Sequence, residues 1–154
     1  MKSSKIRPAD NHVSSKHSID ASKNADDVQA PIDTESLLAR CFGKPDFAQA
    51  LLNQLESIGI ECVEEIQRYA NQRDAAGVAE AAHALKGAAD ILCAPSIKRL
   101  AACVEQAGRT SEIKVLEPLL AELSAEMQRC LIAIPQIRRE LTSDGKGCDE
   151  RAGC

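Results

Sequence analysis

The chain contains no Trp, a single Tyr and two Phe among its 154 residues. With so few aromatics, its core must be built from Ala, Leu, Ile and Val, a composition that suits close-packed helices better than a β-sandwich. No apolar run approaches the roughly 20 residues of a membrane span. Nor is there a basic excess: Lys and Arg number 19 against 23 Asp and Glu, for a formal charge of −4. That balance argues against a protein that holds nucleic acid by neutralising phosphates. The opening stretch MKSSKIRPADNHVSSKHSID has no apolar middle region of the secretory type, so a cytoplasmic location is expected. The seven Cys form no CxxC pair, and five of them (41, 62, 93, 103 and 130) fall in helical patterns. They read as small apolar residues of a reducing compartment, without a zinc or redox role. P-loop and kinase-type glycine-rich motifs are also missing, and no segment alternates with period two.

What remains is a strong helical pattern between two polar tails. Residues 1–31 are rich in Ser, Lys, Asp and Asn and are expected to be disordered. His12 and His17 lie there and read as solvated side chains, not metal ligands. Asp33 suits the N-cap of a short helix with Leu37, Leu38 and Cys41 on one side, stopped near Gly43. Pro45 suits the first turn of a second helix, whose expected stripe is Phe47, Leu51, Leu55, Ile58, Cys62, Ile66 and Tyr69. Gly59 inside it implies a bend or a close helix approach. Asp74 is positioned to cap a third helix running to about Cys93, and Pro95 to open a fourth. That fourth helix carries Ile97, Leu100, Ala101, Val104 and Ala107, with Gly108 as its expected end. The last helix carries Leu116, Leu120, Leu123, Met127, Cys130, Ile134, Ile137 and Leu141, spaced alternately by four and three. Pro118 falls near its start, and Pro135 is expected to kink or fray its end. The reading is all-α: an antiparallel four-helix bundle over 32–141, led by a short helix, with a flexible tail at 142–154.

The third helix contains AEAAHALKGAAD at residues 79–90. On a helical wheel, Val78, Leu85 and Leu92 repeat every seven residues with Ala81, Ala82, Ala88 and Ala89 beside them, which defines the buried side. His83 lies about 160° from Leu85 and should be exposed. Ala79, Glu80, Lys86, Gly87 and Asp90 share its side as neighbours at i−4, i−3, i+3, i+4 and i+7. An ordinary solvated face would account for the charged residues, and Glu80 could simply pair with the imidazole. The glycine does not fit that account. On an exposed helix face it weakens the helix and fills no gap, but it lets something large come close.

An exposed imidazole can act as nucleophile, base or ligand. No second bundle histidine completes a metal site, and no Ser or Cys stands beside His83 to form a catalytic pair. Phosphoryl acceptance fits better. An ordinary imidazole is roughly three-quarters neutral, and so nucleophilic, at pH 7. Lys86 offers a cation to phosphoryl oxygens, and without a nucleotide motif the phosphoryl group must come from another protein.

Here the sequence resembles a known family. AHALKGAAD, followed by LAACVEQAGR at 100–109, is similar to the histidine-containing phosphotransfer (HPt) domain, with its His-x-x-Lys-Gly core in a four-helix bundle. The resemblance spans about 34–140. It implies that His83 is the phosphoacceptor, that Lys86 is the neighbouring basic residue and that Gly87 is the small residue giving room. Cys93 departs from it, standing where members commonly carry Gly.

The implied function is a relay rather than an enzyme. A receiver domain's aspartyl phosphate would pass to His83 and then to a second receiver, so the implied partners are receiver domains of hybrid sensor kinases and response regulators. The docking surface would comprise Ala79, Glu80, Gly87 and Asp90. No cofactor or metal is expected on this chain; Mg2+ would sit in the receiver. A monomer is expected, since no surplus apolar face is apparent. The competing expectation is a helical adaptor that binds a receiver without carrying phosphate.

Overall fold

The computed structural model describes residues 29–144. Most of the two expected tails, with His12 and His17, therefore lies outside the described residues. Among those described, the architecture is five helices and no strand: α1 (Thr34–Arg40), α2 (Pro45–Asn71), α3 (Ala75–Ile91), α4 (Pro95–Arg109) and α5 (Ile113–Asp144). None is long and apolar enough to cross a membrane.

Local chemistry sets the helix starts. Asp33 Oδ1 accepts the Ser36 amide at 3.0 Å and Asp74 Oδ1 accepts the Gly77 amide at 2.9 Å, each satisfying a free N–H of a first turn. Pro45 and Pro95 occupy first-turn positions of α2 and α4, where a missing N–H costs nothing. One device ends the first four helices. In each, the second residue past the helix takes a left-handed backbone: Phe42, Arg73, Cys93 and Ser111, with φ of 57°, 58°, 54° and 58°. The next amide bonds back to the carbonyl five residues earlier, as in Gly43 to Leu38, Asp74 to Tyr69, Ala94 to Ala89 and Glu112 to Ala107. This is the Schellman closure, made here without glycine at the strained position.

Two expectations change as a result. The third helix ends at Ile91, and Cys93 forms the turn beyond it. Cys93 adopts the left-handed backbone that glycine tolerates best. Gly108 does not end α4. It is the penultimate helical residue, and Ser111 makes the turn.

Side-chain pairings show the helices to be antiparallel. Lys98, near the start of α4, bonds Asp90 near the end of α3, while Gly108 near the end of α4 packs on Ala75 and Ala79 at the start of α3. Arg138 of α5 reaches Asn53 and Glu56 of α2, and Met127 packs on Gly59. The predicted α5 stripe is buried throughout, from Leu116 to Leu141. The helix continues through both prolines to Asp144, so its end does not fray at Pro135.

For α2 the predicted stripe was partly misplaced. Its buried residues are Ala48, Leu52, Leu55, Gly59, Val63 and Ile66, while Phe47 is 53% and Ile58 37% exposed. Two small residues, Ala48 and Gly59, share the buried line with Leu52, Leu55, Val63 and Ile66, and at Gly59 the missing side chain makes room for Met127. A Cβ on Gly59 would lie 2.8 Å from Met127 Sδ. The cysteines divide as well: Cys41 and Cys130 are core residues, whereas Cys103 is exposed, and all five described thiols are free.

Two glycines in this fold should respond oppositely to a methyl group. A Cβ on Gly108 would meet the backbone of α3, 2.9 Å from Ala79 N and 3.0 Å from Ala75 O; one on Gly87 would meet nothing within 4 Å. Gly108→Ala is expected to destabilise the bundle by about 1–3 kcal/mol through overpacking. Gly87→Ala is expected to stabilise it by about 0.5–1 kcal/mol through helix propensity. Urea titrations of the two variants check both signs.

Candidate functional site

The close approach of α3 and α4 at Gly108 brings a buried carboxylate beneath the exposed histidine. Glu105 lies on the small-residue side of α4, four residues after Ala101 and three before Gly108, all three buried. Its side chain is only 8% exposed. His83, in the middle of α3, is 63% exposed and points its Nδ1 at Glu105 Oε1, 3.0 Å away. Lys86, one turn on, donates from Nζ to Oε2 at 2.6 Å. Arg109, the last residue of α4, donates to Oε1 from Nη2 at 2.7 Å and from Nε at 3.2 Å.

Three donors thus meet one carboxylate, and they hold Glu105 well below the usual range, at about 2. The Lys86 hydrogen bond is the largest cause, then that of Arg109, with burial opposing and the His83 bond adding a smaller pull. The carboxylate is therefore charged at any physiological pH and only accepts hydrogen bonds. Nδ1 must then carry the imidazole proton, and in the neutral ring the lone pair falls on Nε2. The geometry fixes the tautomer and leaves the distal nitrogen as the nucleophilic atom.

His83, Ala84 and Gly87 are exposed along one face of α3, with Ile91 continuing it at 49% exposure. On one flank lies a shallow basin floored by Ala75, Ala76 and Ala79 and edged by Glu80, Gly108 and Arg109. On the other lies an apolar groove between α2 and α3, lined in part by Leu51, Ile58, Cys62, Ala88 and Ile91.

Of the residues picked out from sequence, His83, Lys86, Gly87, Ala79 and Glu80 come together on this surface. Asp90 stands apart. It bonds Lys98 at 2.5 Å and pairs with Arg40 at 3.5 Å, tying the end of α3 to α4 and α1. The carboxylate partner of His83 is Glu105, not Glu80. Glu105 and Arg109 were both missed as site residues. The available signal was an acidic residue on the Ala101–Gly108 stripe, where a solvated side chain has no place.

A helical bundle that presents one exposed histidine over a buried, triply paired carboxylate has the features expected of a histidine phosphotransfer module. The comparisons with known proteins agree. The Hpt domain family matches residues 46–133, and the chain belongs to that family, whose members are phosphotransfer intermediates of two-component systems that interact with receiver domains. The chain is also similar to the HPT domain from the Hpt sensor hybrid histidine kinase of Shewanella, solved by crystallography to 1.80 Å. Identity is 27%, the match covers 72% of this chain and 96% of that one, and the TM-score is 0.63. No curated protein matches the chain.

The Glu105 pairing carries a pH signature. Its folded pKa of about 2 lies below the ordinary 4.5, so its contribution to stability is complete above 4.5 and is lost as pH falls towards 2. The stability difference between wild type and Glu105→Gln should therefore be largest near neutrality and shrink across that acid window. Urea titrations from pH 7 to pH 2.5 measure it; a difference independent of pH would show that the carboxylate charge is not what the three donors stabilise.

Proposed function

We propose that His83 accepts a phosphoryl group from the aspartyl phosphate of a receiver domain and passes it to the aspartate of a second receiver in a multistep phosphorelay. The observation that carries this reading is the placement of the ring: Nδ1 lies 3.0 Å from Glu105 Oε1, and the side chain is 63% exposed, which leaves Nε2 as the free nitrogen.

In the forward step the Nε2 lone pair attacks phosphorus in line. An N–P bond forms, the acyl O–P bond breaks, and the aspartate carboxylate leaves with the electron pair. No proton need move during transfer. The ring gains positive charge as the N–P bond forms, and the Glu105 carboxylate on Nδ1–H stabilises that charge. Lys86 supplies positive charge to the phosphoryl oxygens. Mg2+ belongs to the receiver's side of the reaction. Reversal of the same steps delivers the group to the next aspartate.

The docking surface combines the open ground at Gly87 and Ala84 with the apolar groove to Ile91 and Ile58, and with the basin at Ala79 and Glu80. Asp90 would contribute at the rim through its pairing with Lys98. Such a mixed, mostly small surface suits a short-lived complex. The chain acts as a carrier, without nucleotide chemistry of its own, and works in the cytoplasm as a monomer.

Incubation with a receiver domain phosphorylated by acetyl phosphate tests the reading. The wild-type chain should gain acid-labile, base-stable label, and His83→Gln should gain none while keeping its helical circular dichroism. Binding without label would identify an adaptor instead. Gly87→Leu should fold normally yet lose transfer by on the order of 100-fold, because the receiver backbone could no longer approach. Unchanged transfer in that variant would remove close approach as the role of the glycine.

A further inference from the structure

Lys86 faces two tasks that compete. In the structure its ammonium sits on Glu105 Oε2 at 2.6 Å, so the cation nearest the phosphoacceptor is already engaged. Once His83 carries a phosphoryl group, close to two negative charges appear one turn away. Lys86 is drawn towards them, but its departure would strip a nine-tenths buried carboxylate of its closest partner. A buried charge that loses its counter-ion is strongly unfavourable.

Arg109 resolves the conflict. Its Nη2 and Nε both donate to the same oxygen, Oε1, so the guanidinium is engaged on only one side of the carboxylate. A guanidinium fork matches both oxygens of a carboxylate in two parallel bonds. Arg109 is also free to adjust: its side chain is 60% exposed at the end of α4.

We propose that Arg109 is a positioning residue for phosphotransfer, taking both oxygens of Glu105 when Lys86 leaves it for the phosphoryl group on His83. This rests on His83 being the phosphoacceptor. Two cations thus serve one carboxylate before transfer; afterwards one serves the carboxylate and the other the phosphoryl group. Glu105 keeps a cationic partner and hydrogen bonds on both oxygens, the phosphoryl group gains a cation of its own, and only side chains turn.

Phosphoramidate provides a chemical donor for the test. Nε2 forms the N–P bond while the P–N bond of the donor breaks, and ammonia leaves with the electron pair. Phosphorus NMR reports phosphohistidine, and the 15N-resolved ammonium signal of Lys86, assigned by its loss in Lys86→Arg, reports where the lysine sits. In wild type that signal is expected to shift on phosphorylation. In Arg109→Met the shift is lost and uptake slows roughly three- to tenfold, by analogy with other charge-assisted contacts. Arg109→Lys keeps the charge without the fork, and should restore part of the rate but not all of it.

A wild-type protein that forms phosphohistidine while its Lys86 signal stays unmoved overturns the exchange. So does an Arg109→Met protein with wild-type shift and rate. Absence of any phosphohistidine at His83 is a separate result. It overturns the phosphoacceptor reading itself, and this inference with it.

Discussion

One carboxylate organises the chemistry of this bundle. Glu105 is charged, nearly out of solvent and shared by His83, Lys86 and Arg109. A buried ion is tolerated only when its partners are close and its lone pairs are used, and here both conditions hold. The same contacts tie α3 to α4 across the site. The group that fastens the two helices is also the group that decides which imidazole nitrogen is engaged and which is left free.

That arrangement depends on how closely α3 and α4 approach. Gly108 allows the end of α4 to rest on the backbone of α3, and the alanines at 75, 76 and 79 keep the ground beside His83 low. Larger residues would push the helices apart and lengthen the hydrogen bond from Nδ1. The sequence therefore uses small residues in two senses. The buried one at 108 sets helix spacing, the buried one at 59 makes room for the Met127 side chain, and the exposed one at 87 leaves open space on the surface. The same residue type serves both, and only its surroundings distinguish the roles.

That ambiguity explains what the sequence did and did not reveal. The α5 stripe was legible because large apolar residues at regular spacing have one stable fate, burial. His83 and its face were legible from the wheel, since Leu85 and Val78 fix the opposite side. In α2 two large apolar residues misled: Phe47 and Ile58 are partly exposed, while Ala48 and Gly59 join Leu52, Leu55, Val63 and Ile66 on the buried side. Residue size is a poor guide to burial where helices touch closely. Gly108 was read as a stop because glycine often ends helices, yet here it serves packing. Glu105 was passed over because a glutamate in a helix is normally solvated. Its place on the Ala101–Gly108 stripe was the one local sign; the pairing itself, with a residue 22 positions away, is not written in the local sequence. The helices and the exposed histidine face were thus readable from the sequence, while the buried carboxylate beneath that face was not.

The four identical helix ends have a mechanical consequence. In two of them the residue closing one helix, Asp74 or Ala94, is also the cap of the next, so no slack separates the elements. Helices joined this way have little freedom to slide along one another or splay. The histidine is thus presented on a stiff platform, so that adjustment around it falls to side chains and not to helix movement. Such a carrier gives up little conformational entropy in each encounter, which favours rapid release as much as rapid capture.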